Sequence, residues 1–353
     1  MASNTPPIIL FTYPESVVGR RMEWYLTLRS IPYQKCRVDS KMPRPVLDRL
    51  GVHYRRIPIL AVGRDIYCDS RCIIDHLERL YIDVPRLGAD ESRDPYQKGI
   101  ERVLENWAFD GGLFMRTAQL IPKDATLALS EEWLADRSEL MGRRFDSNSL
   151  AQTLPDALSH ARLHLQMIED NFLADDRPWL SGDSPGIADI HVLWIFDWMM
   201  RPKERMGMRH AYPDVLNAEK YPKVIAWVER MEEAFQTARK EQGAPKDLSE
   251  DETVKAIESS SFWEPKELEV DSQDPSGLKR GDETDLIALD SAPQTGLLRR
   301  DVGKLVELTV TSAAIQVQTK NGVDVRIYYQ RNNVRVAKAT GADRLSASEI
   351  PKL

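Results

Sequence analysis

The chain has 353 residues, of which 42% are hydrophobic and 29% charged, with a formal net charge of −7. That length suggests two or three domains, each with enough apolar material for a core. The acidic balance gives nucleic acid no bulk attraction, and no uninterrupted apolar run approaches the roughly 20 residues that a membrane-spanning helix needs.

The first residues, MASNTPPIILFTYPE, have no basic region ahead of the short apolar run Ile8 to Phe11, so they do not read as a secretory leader. Residues 8–13 (IILFTY) read as a buried strand, broken by Pro14-Glu15-Ser16. A helix follows from Arg20 to Arg29, then a strand at 33–39 and a short helical pattern within 41–50 that ends at Gly51. The stretch RRIPILAVGRDIYCDSRCIIDHLERLY, 55–81, reads as an Ile57-Pro58 step, a hairpin turning at Gly63-Arg64, and a helix over about 71–81 that starts beside Asp69-Ser70. The order βαβ, short helix, ββα is a thioredoxin-like layout. A polar linker follows residue 84. From 94 to 240 the periodic segments are helical, including a long one from 95 to 117 and one led by Pro222. Residues 241–282 are polar and read as a mobile or wrapping linker, with Phe262-Trp263 as a possible anchor. Residues 283–342 alternate apolar and polar side chains around Asn321-Gly322, a strong hairpin signal, and read as a small antiparallel sheet or barrel. The last dozen residues read as frayed. Cys36, Cys68 and Cys72 fit neither a disulfide framework nor a zinc pattern, so no metal is expected and a reducing, cytoplasmic setting is the default.

X-Pro is the peptide step at which cis is cheap. A cis bond before Pro58 turns the Ile57 backbone outward to pair with an extended peptide. A helix starting at Asp69-Ser70 offers unsatisfied N–H groups to a carboxylate. A ledge for a peptide backbone beside a carboxylate corner describes a glutathione site. This segment resembles the thioredoxin-like half of glutathione transferases, and YPKVIAWVERM (221–231) is similar to a late helix of the same family, with Trp227 packed inside. Gly186-Ile187-Ala188-Asp189 partly matches the family's helix cap. Gly186 stands where a hydroxyl is usual, and Asp189 keeps a folding role. The likeness spans about residues 8–240 and is closest to fungal-type members carrying RRIPxLxxGRDxYCD, with an added β-rich tail.

The resemblance implies a thioredoxin-like domain over 1–84, an all-helical domain over 94–240, and glutathione as substrate or cofactor. Its members activate the glutathione thiol with a group at the start of the first helix. Alignment places Ser16 at the serine-type position, and Tyr13 is the competing hydroxyl. No cysteine lies within 13–19, which argues against thioltransferase chemistry. Ile57 and Pro58 are expected at the cysteinyl backbone, Ser70 at the γ-glutamyl carboxylate and Asp69 at its ammonium. Arg56 (with Arg55) and Lys41 are candidates for the glycyl end, and Arg20 and Arg21 are expected at the surface. Val17, Val18, Trp107 and Phe114, with Phe109 and Met115, are candidate walls for a hydrophobic electrophile. His160 and His164 share a helix face but lack a third metal ligand.

Two activities fit the resemblance: conjugation of glutathione to an electrophile, or a glutathione-dependent isomerisation or elimination, in detoxification or secondary metabolism. The competing reading is a non-catalytic scaffold or regulatory protein on the same fold. A basic tail surface (Lys304, Lys320, Arg326, Arg331, Arg335, Lys338) around Tyr328-Tyr329 is a weaker nucleic-acid reading. A homodimer is expected, and no membrane partner.

Overall fold

The computed structural model describes residues 6–122, 130–142, 144–289 and 299–339. The frayed last dozen residues, and the end of the 283–342 unit past 339, lie outside them. The N-terminal part runs β1 (Ile8–Thr12), α1 (Val17–Leu28), β2 (Gln34–Arg37), α2 (Pro45–Arg49), β3 (Ile59–Val62), β4 (Asp65–Cys68) and α3 (Ser70–Leu80). β1 is parallel to β2 and antiparallel to β3, and β3 turns into β4 through Gly63, whose φ is +59°. β1, β3 and β4 are buried along their whole length, which is why β1 from Ile8 to Phe11 and all of β3 read as continuous apolar runs rather than alternating ones.

The middle of the chain is helical: α4 (Pro95–Phe109), α5 (Leu113–Thr117), α6 (Glu131–Met141), α7 (Ser147–Met167), α8 (Ile187–Met200) and α9 (Pro222–Gln242). The long helix expected over 95–117 breaks at Asp110-Gly111-Gly112. Gly112 takes φ +82°, a left-handed conformation that glycine adopts freely. α8 is buried on nearly every side and forms the axis of this part. Its start is held by Asp189, which accepts from the N–H groups of Leu180 (2.8 Å), Ser181 (3.2 Å) and Gly186 (3.1 Å) and from Trp227 Nε1 (2.8 Å). A Cβ on Gly186 would sit 2.4 Å from Ser181 Oγ and 2.6 Å from its Cβ. The hydroxyl residue usual here has no room, so close packing explains the glycine.

The segment expected as a linker, 241–282, is a structured brace. β5 (Asp247–Leu248) adds to β2 in parallel, and α10 (Glu250–Glu258) packs on α2. Ser249 caps α10 and receives Glu252 in return, a reciprocal cap written in the sequence as Ser-x-x-Glu. Phe262 bridges to Gly63, and Trp263 packs edge-on against Tyr67.

The tail forms β6 (Glu283–Ala288), β7 (Asp301–Leu308), β8 (Ser312–Gln318), β9 (Asp324–Gln330) and β10 (Val334–Lys338). Each hydrogen-bonded neighbour within it is antiparallel. β9 also pairs in parallel with β4, so the order β10-β6-β7-β8-β9-β4-β3-β1-β2-β5 is one ten-stranded sheet. The antiparallel sheet expected of the tail is present, and it continues the first sheet. Only residues 331–333 link β9 to β10 although four strand positions separate them. A link that short spans at most about 14 Å, so the five strands curl back on themselves. Tyr328 and Tyr329 are buried, and Arg326 and Arg331 are held by Pro265 O and Asp274. The tyrosines thus offer no exposed stacking platform for a nucleic acid.

Candidate active site

The sequence places three element ends at one cavity: the start of α1, the loop before β3 and the start of α3. The cavity holds about 460 Å³ between these ends and the helical part. Tyr13, Ser16, Val17, Val18, Arg56, Ile57, Pro58, Asp69, Ser70 and Phe114 all line it.

Ser16 is the N-cap of α1. Its Oγ accepts from the Gly19 N–H at 2.9 Å, and its own N–H donates to Tyr13 O at 3.0 Å. Gly19 is needed for this approach, since a Cβ there would lie 2.1 Å from Thr12 Oγ1 and 3.0 Å from Ser16 Oγ. The serine hydroxyl therefore spends an acceptor site on the helix and keeps its proton to give.

The Ile57-Pro58 bond is cis. Ile57 lies outside the strands, and among the described residues no partner pairs with its N–H or C=O. A backbone donor and acceptor on a cavity wall need a partner, from water or from a ligand.

At the third corner Asp69 has φ +77° and caps α3. Its carboxylate accepts from Arg71 N (2.9 Å), Nε (3.1 Å) and Nη2 (3.2 Å) and from Tyr54 OH (3.2 Å). Burial acts to raise its pKa, but the Arg71 guanidinium overrides that and holds Asp69 below the ordinary carboxylate range. Ser70 Oγ accepts from Arg21 Nη1 at 2.7 Å, which leaves its proton and N–H. Arg21 is not at the surface as expected. It is fully buried, and it also donates to Glu105 (2.9 Å) and Ile190 O (3.1 Å). Arg20 is partly exposed and pairs with Asp197 at 3.1 Å.

Two expected residues fall outside the cavity lining. Lys41 points to α6 and pairs with Glu132, because the loop before α2 is drawn to that helix. Trp107 turns into the helical core, with its ring 5.4 Å from His164, 6.1 Å from Phe196 and stacked on Phe172. Helical periodicity gave it a face but not the neighbour of that face. Phe109 and Met115 do line the cavity. His164 packs on Trp107, and among the described residues no group of three His, Cys, Asp or Glu could hold a metal.

The sequence reading missed three groups. Arg44 and Arg137 join Arg55 and Arg56 on the wall. Arg44 is buried on carbonyls of Asp39, Ser40 and Arg55, and burial pulls its guanidinium down to about 10. Trp133, Leu140 and Met141 come from α6, which is tied to the first domain. Arg55 pairs with Asp136 at 2.8 Å, and the Met42 N–H donates to Asp136 at 3.1 Å. Asp110, at the α4 break, and Trp198 complete the wall. The paired glycines after Asp110 were the one local signal for any of these.

Residues 10–85 match the glutathione S-transferase N-terminal domain family, and residues 116–240 match a domain of unknown function, DUF7962. The chain is 22% identical over 229 residues to glutathione S-transferase U7 of Arabidopsis thaliana, covering 65% of this chain and 84% of that protein. It is 22% identical to the probable glutathione S-transferase parC of Nicotiana tabacum, covering 68% and 92%. The solved structure of a GST-like protein from Pseudomonas syringae superposes with a TM-score of 0.66 at 21% identity, over 94% of this chain and 99% of that one. That coverage takes in the tail as well as the two transferase-like parts, so the extended sheet is a shared fold. Residues 10–85 thus match a glutathione S-transferase N-terminal domain, and the chain as a whole is similar in sequence to glutathione S-transferases and in fold to a GST-like protein.

Proposed function

We propose that the protein is a glutathione-dependent transferase of the serine type that joins the glutathione sulfur to a hydrophobic electrophile. The observation that carries this reading is Ser16, a helix cap on the cavity wall whose oxygen is engaged by Gly19 while its proton is uncommitted. Glutathione lies with its cysteinyl backbone along Ile57 beside Pro58 and its γ-glutamyl carboxylate at Ser70. Its glycyl carboxylate faces Arg44, Arg55, Arg56 and Arg137, of which Arg55 and Arg137 pair with Asp136. The sulfur then sits by Ser16. A hydroxyl hydrogen bond and the positive end of α1 stabilise the thiolate and lower the thiol pKa. The thiolate attacks an electrophilic carbon, a C–S bond forms and the leaving group departs with its electron pair. Val17, Val18, Phe114, Trp133 and Trp198 supply an apolar bed for that carbon. An isomerisation or elimination that returns glutathione uses the same thiolate.

The likeness to fungal-type members rests on the RRIPxLxxGRDxYCD motif, and a detoxifying or secondary-metabolic role rests on the family resemblance. The cytoplasmic setting rests on the cysteine pattern. A homodimer belongs to the same reading. It is supported by Tyr96 and Val103, apolar side chains on one face of α4 that are 78% and 63% exposed.

The test is glutathione titration calorimetry together with conjugation of an aryl halide. Ser16→Ala is expected to lower turnover by about 100- to 1,000-fold with glutathione affinity within about 3-fold, and to raise the thiol pKa read from thiolate absorbance. Tyr13→Phe is expected to leave that pKa in place. Loss of the thiolate in Tyr13→Phe instead would hand the role to Tyr13. No heat at millimolar glutathione would leave a transferase-fold scaffold.

A further inference from the structure

The segment that carries the Ile57-Pro58 ledge, residues 52–58, belongs to no helix or strand. Contacts from other elements therefore set its course, and some of them come from the tail. Asp301 opens β7 and is fully buried. Its Oδ1 accepts from the His53 N–H at 2.6 Å and lies 3.1 Å from His53 Nδ1. Its Oδ2 accepts from Tyr329 OH at 2.6 Å. Tyr329 sits on β9 in register with Cys68, immediately before Asp69. The Tyr329 ring meets the Tyr54 ring edge-on with centroids 5.1 Å apart, and Tyr54 OH donates to Asp69 at 3.2 Å. Both tyrosines are buried, and burial raises their pKa well above the ordinary value, so both stay protonated donors. Upstream of the segment, the β8–β9 turn adds a further tie, from the Lys320 N–H to Arg49 O at 2.8 Å. One carboxylate in the tail thus grips the chain just ahead of the ledge and, through two tyrosines, reaches the corner at Asp69.

We propose that Asp301 is a positioning residue for the ligand: from the tail it fixes the distance between the Ile57 ledge and the Asp69-Ser70 corner, and so sets the span of peptide that the cavity accepts. This rests on the glutathione reading above and deepens it. Glutathione has to meet both points at once, its cysteinyl backbone on one and its γ-glutamyl end on the other, so a loosened segment costs affinity. The thiol lies at the start of α1, on Ser16, and none of the Asp301 contacts reaches that helix. The chemical step is therefore spared.

The experiment combines glutathione calorimetry, KM and kcat with the aryl halide, and urea midpoints, all on the full chain. Asp301→Ala is expected to weaken glutathione by about 10-fold or more, because a charge-assisted bond to a backbone N–H is lost. KM for glutathione is expected to rise with it, while kcat stays within about 2-fold and the thiolate absorbance titrates as before. Asp301→Asn keeps one oxygen for the His53 N–H and is expected to recover most of the affinity. Tyr54→Phe is the milder variant should Asp301→Ala not fold. It cuts only the tie to Asp69 and is expected to cost about 3-fold in affinity. Asp65→Ala is the control for lost stability: Asp65 is equally buried, and its partner Tyr328 points to the other face of β9 from Tyr329. Glutathione affinity within about 2-fold of the wild type in all three test variants, with lowered urea midpoints, would reduce Asp301 to a structural support and overturn the proposal. A fall in kcat at unchanged KM would overturn it too, as would an equal loss of affinity in Asp65→Ala. A wild type that binds no glutathione would sink the transferase reading itself, and the proposal with it.

Discussion

The cavity corner and the seam between β4 and β9 use the same residue types to opposite ends. At the seam Asp65 is fully buried and accepts from Trp263 N (2.6 Å), Glu264 N (2.7 Å) and Tyr328 OH (3.1 Å), with Arg326 Nε 3.6 Å away. Glu264 accepts from Tyr67 OH, and Glu307 from Ser312 Oγ. Strand, brace and tail each contribute, and what they make is a joint closed to solvent. At the cavity an aspartate is likewise saturated by an arginine and a tyrosine, but a serine proton, the Ile57 backbone and part of Asp110 stay turned to open space. A polar cluster is a site only where its hydrogen-bond capacity exceeds what the chain itself uses.

The strongest test of this contrast is Asp65→Ala. It strands two buried N–H groups, a tyrosine hydroxyl and the charge of Arg326. It should cost about 3–5 kcal/mol in urea unfolding, with glutathione affinity of the folded protein unchanged. A matched loss of affinity would mean that seam and cavity are not separate. The next effect is a pH dependence. Burial pushes the Glu264 carboxyl up from 4.5 to about 7, with Glu307 and Asp65 adding to the push against Arg79. A carboxyl raised on folding contributes stability that is complete below pH 4.5 and is lost as pH rises through 7. His76, 3.7 Å from Glu264, runs the other way. Burial pulls it down to about 4, so its contribution is complete above 6.5 and is lost as pH falls through 4. Glu264→Gln should therefore gain on the wild type by about 1–3 kcal/mol between pH 5 and 7.5, read from urea midpoints. Parallel curves would remove Glu264 from the seam's titration. The smallest effect is Lys41→Ala. This lysine pairs at the surface with Glu132 outside the cavity wall, so glutathione affinity should stay within about 2-fold. A larger drop would return Lys41 to the glycyl end.

Much of the fold was legible because its signals are local. The apolar run at 8–13, the hairpin around Gly63 and the Asn321-Gly322 turn each specify their own conformation through φ preference and side-chain period. Ser249-x-x-Glu252 was equally local and was hidden only by the polarity around it. The cavity's first ring was legible for the same reason: helix caps and an X-Pro step mark themselves. Its second ring was not. Whether Trp107 faces a cavity or a core depends on where α7 and α8 lie, and Arg44 and Asp110 reach the wall through chain distant in sequence.

From its own residues, then, the chain determined where helices start, where strands run and which polar groups crowd the first helix and the third. Those are matters of backbone geometry over a few neighbours. Only the tertiary structure decided that β9 pairs with β4, that Asp69 is spent on Arg71, and that an aspartate 248 residues along the chain holds the His53 backbone. Such pairings follow from which surfaces are left to cover once every element has formed, and no short window of sequence contains that choice.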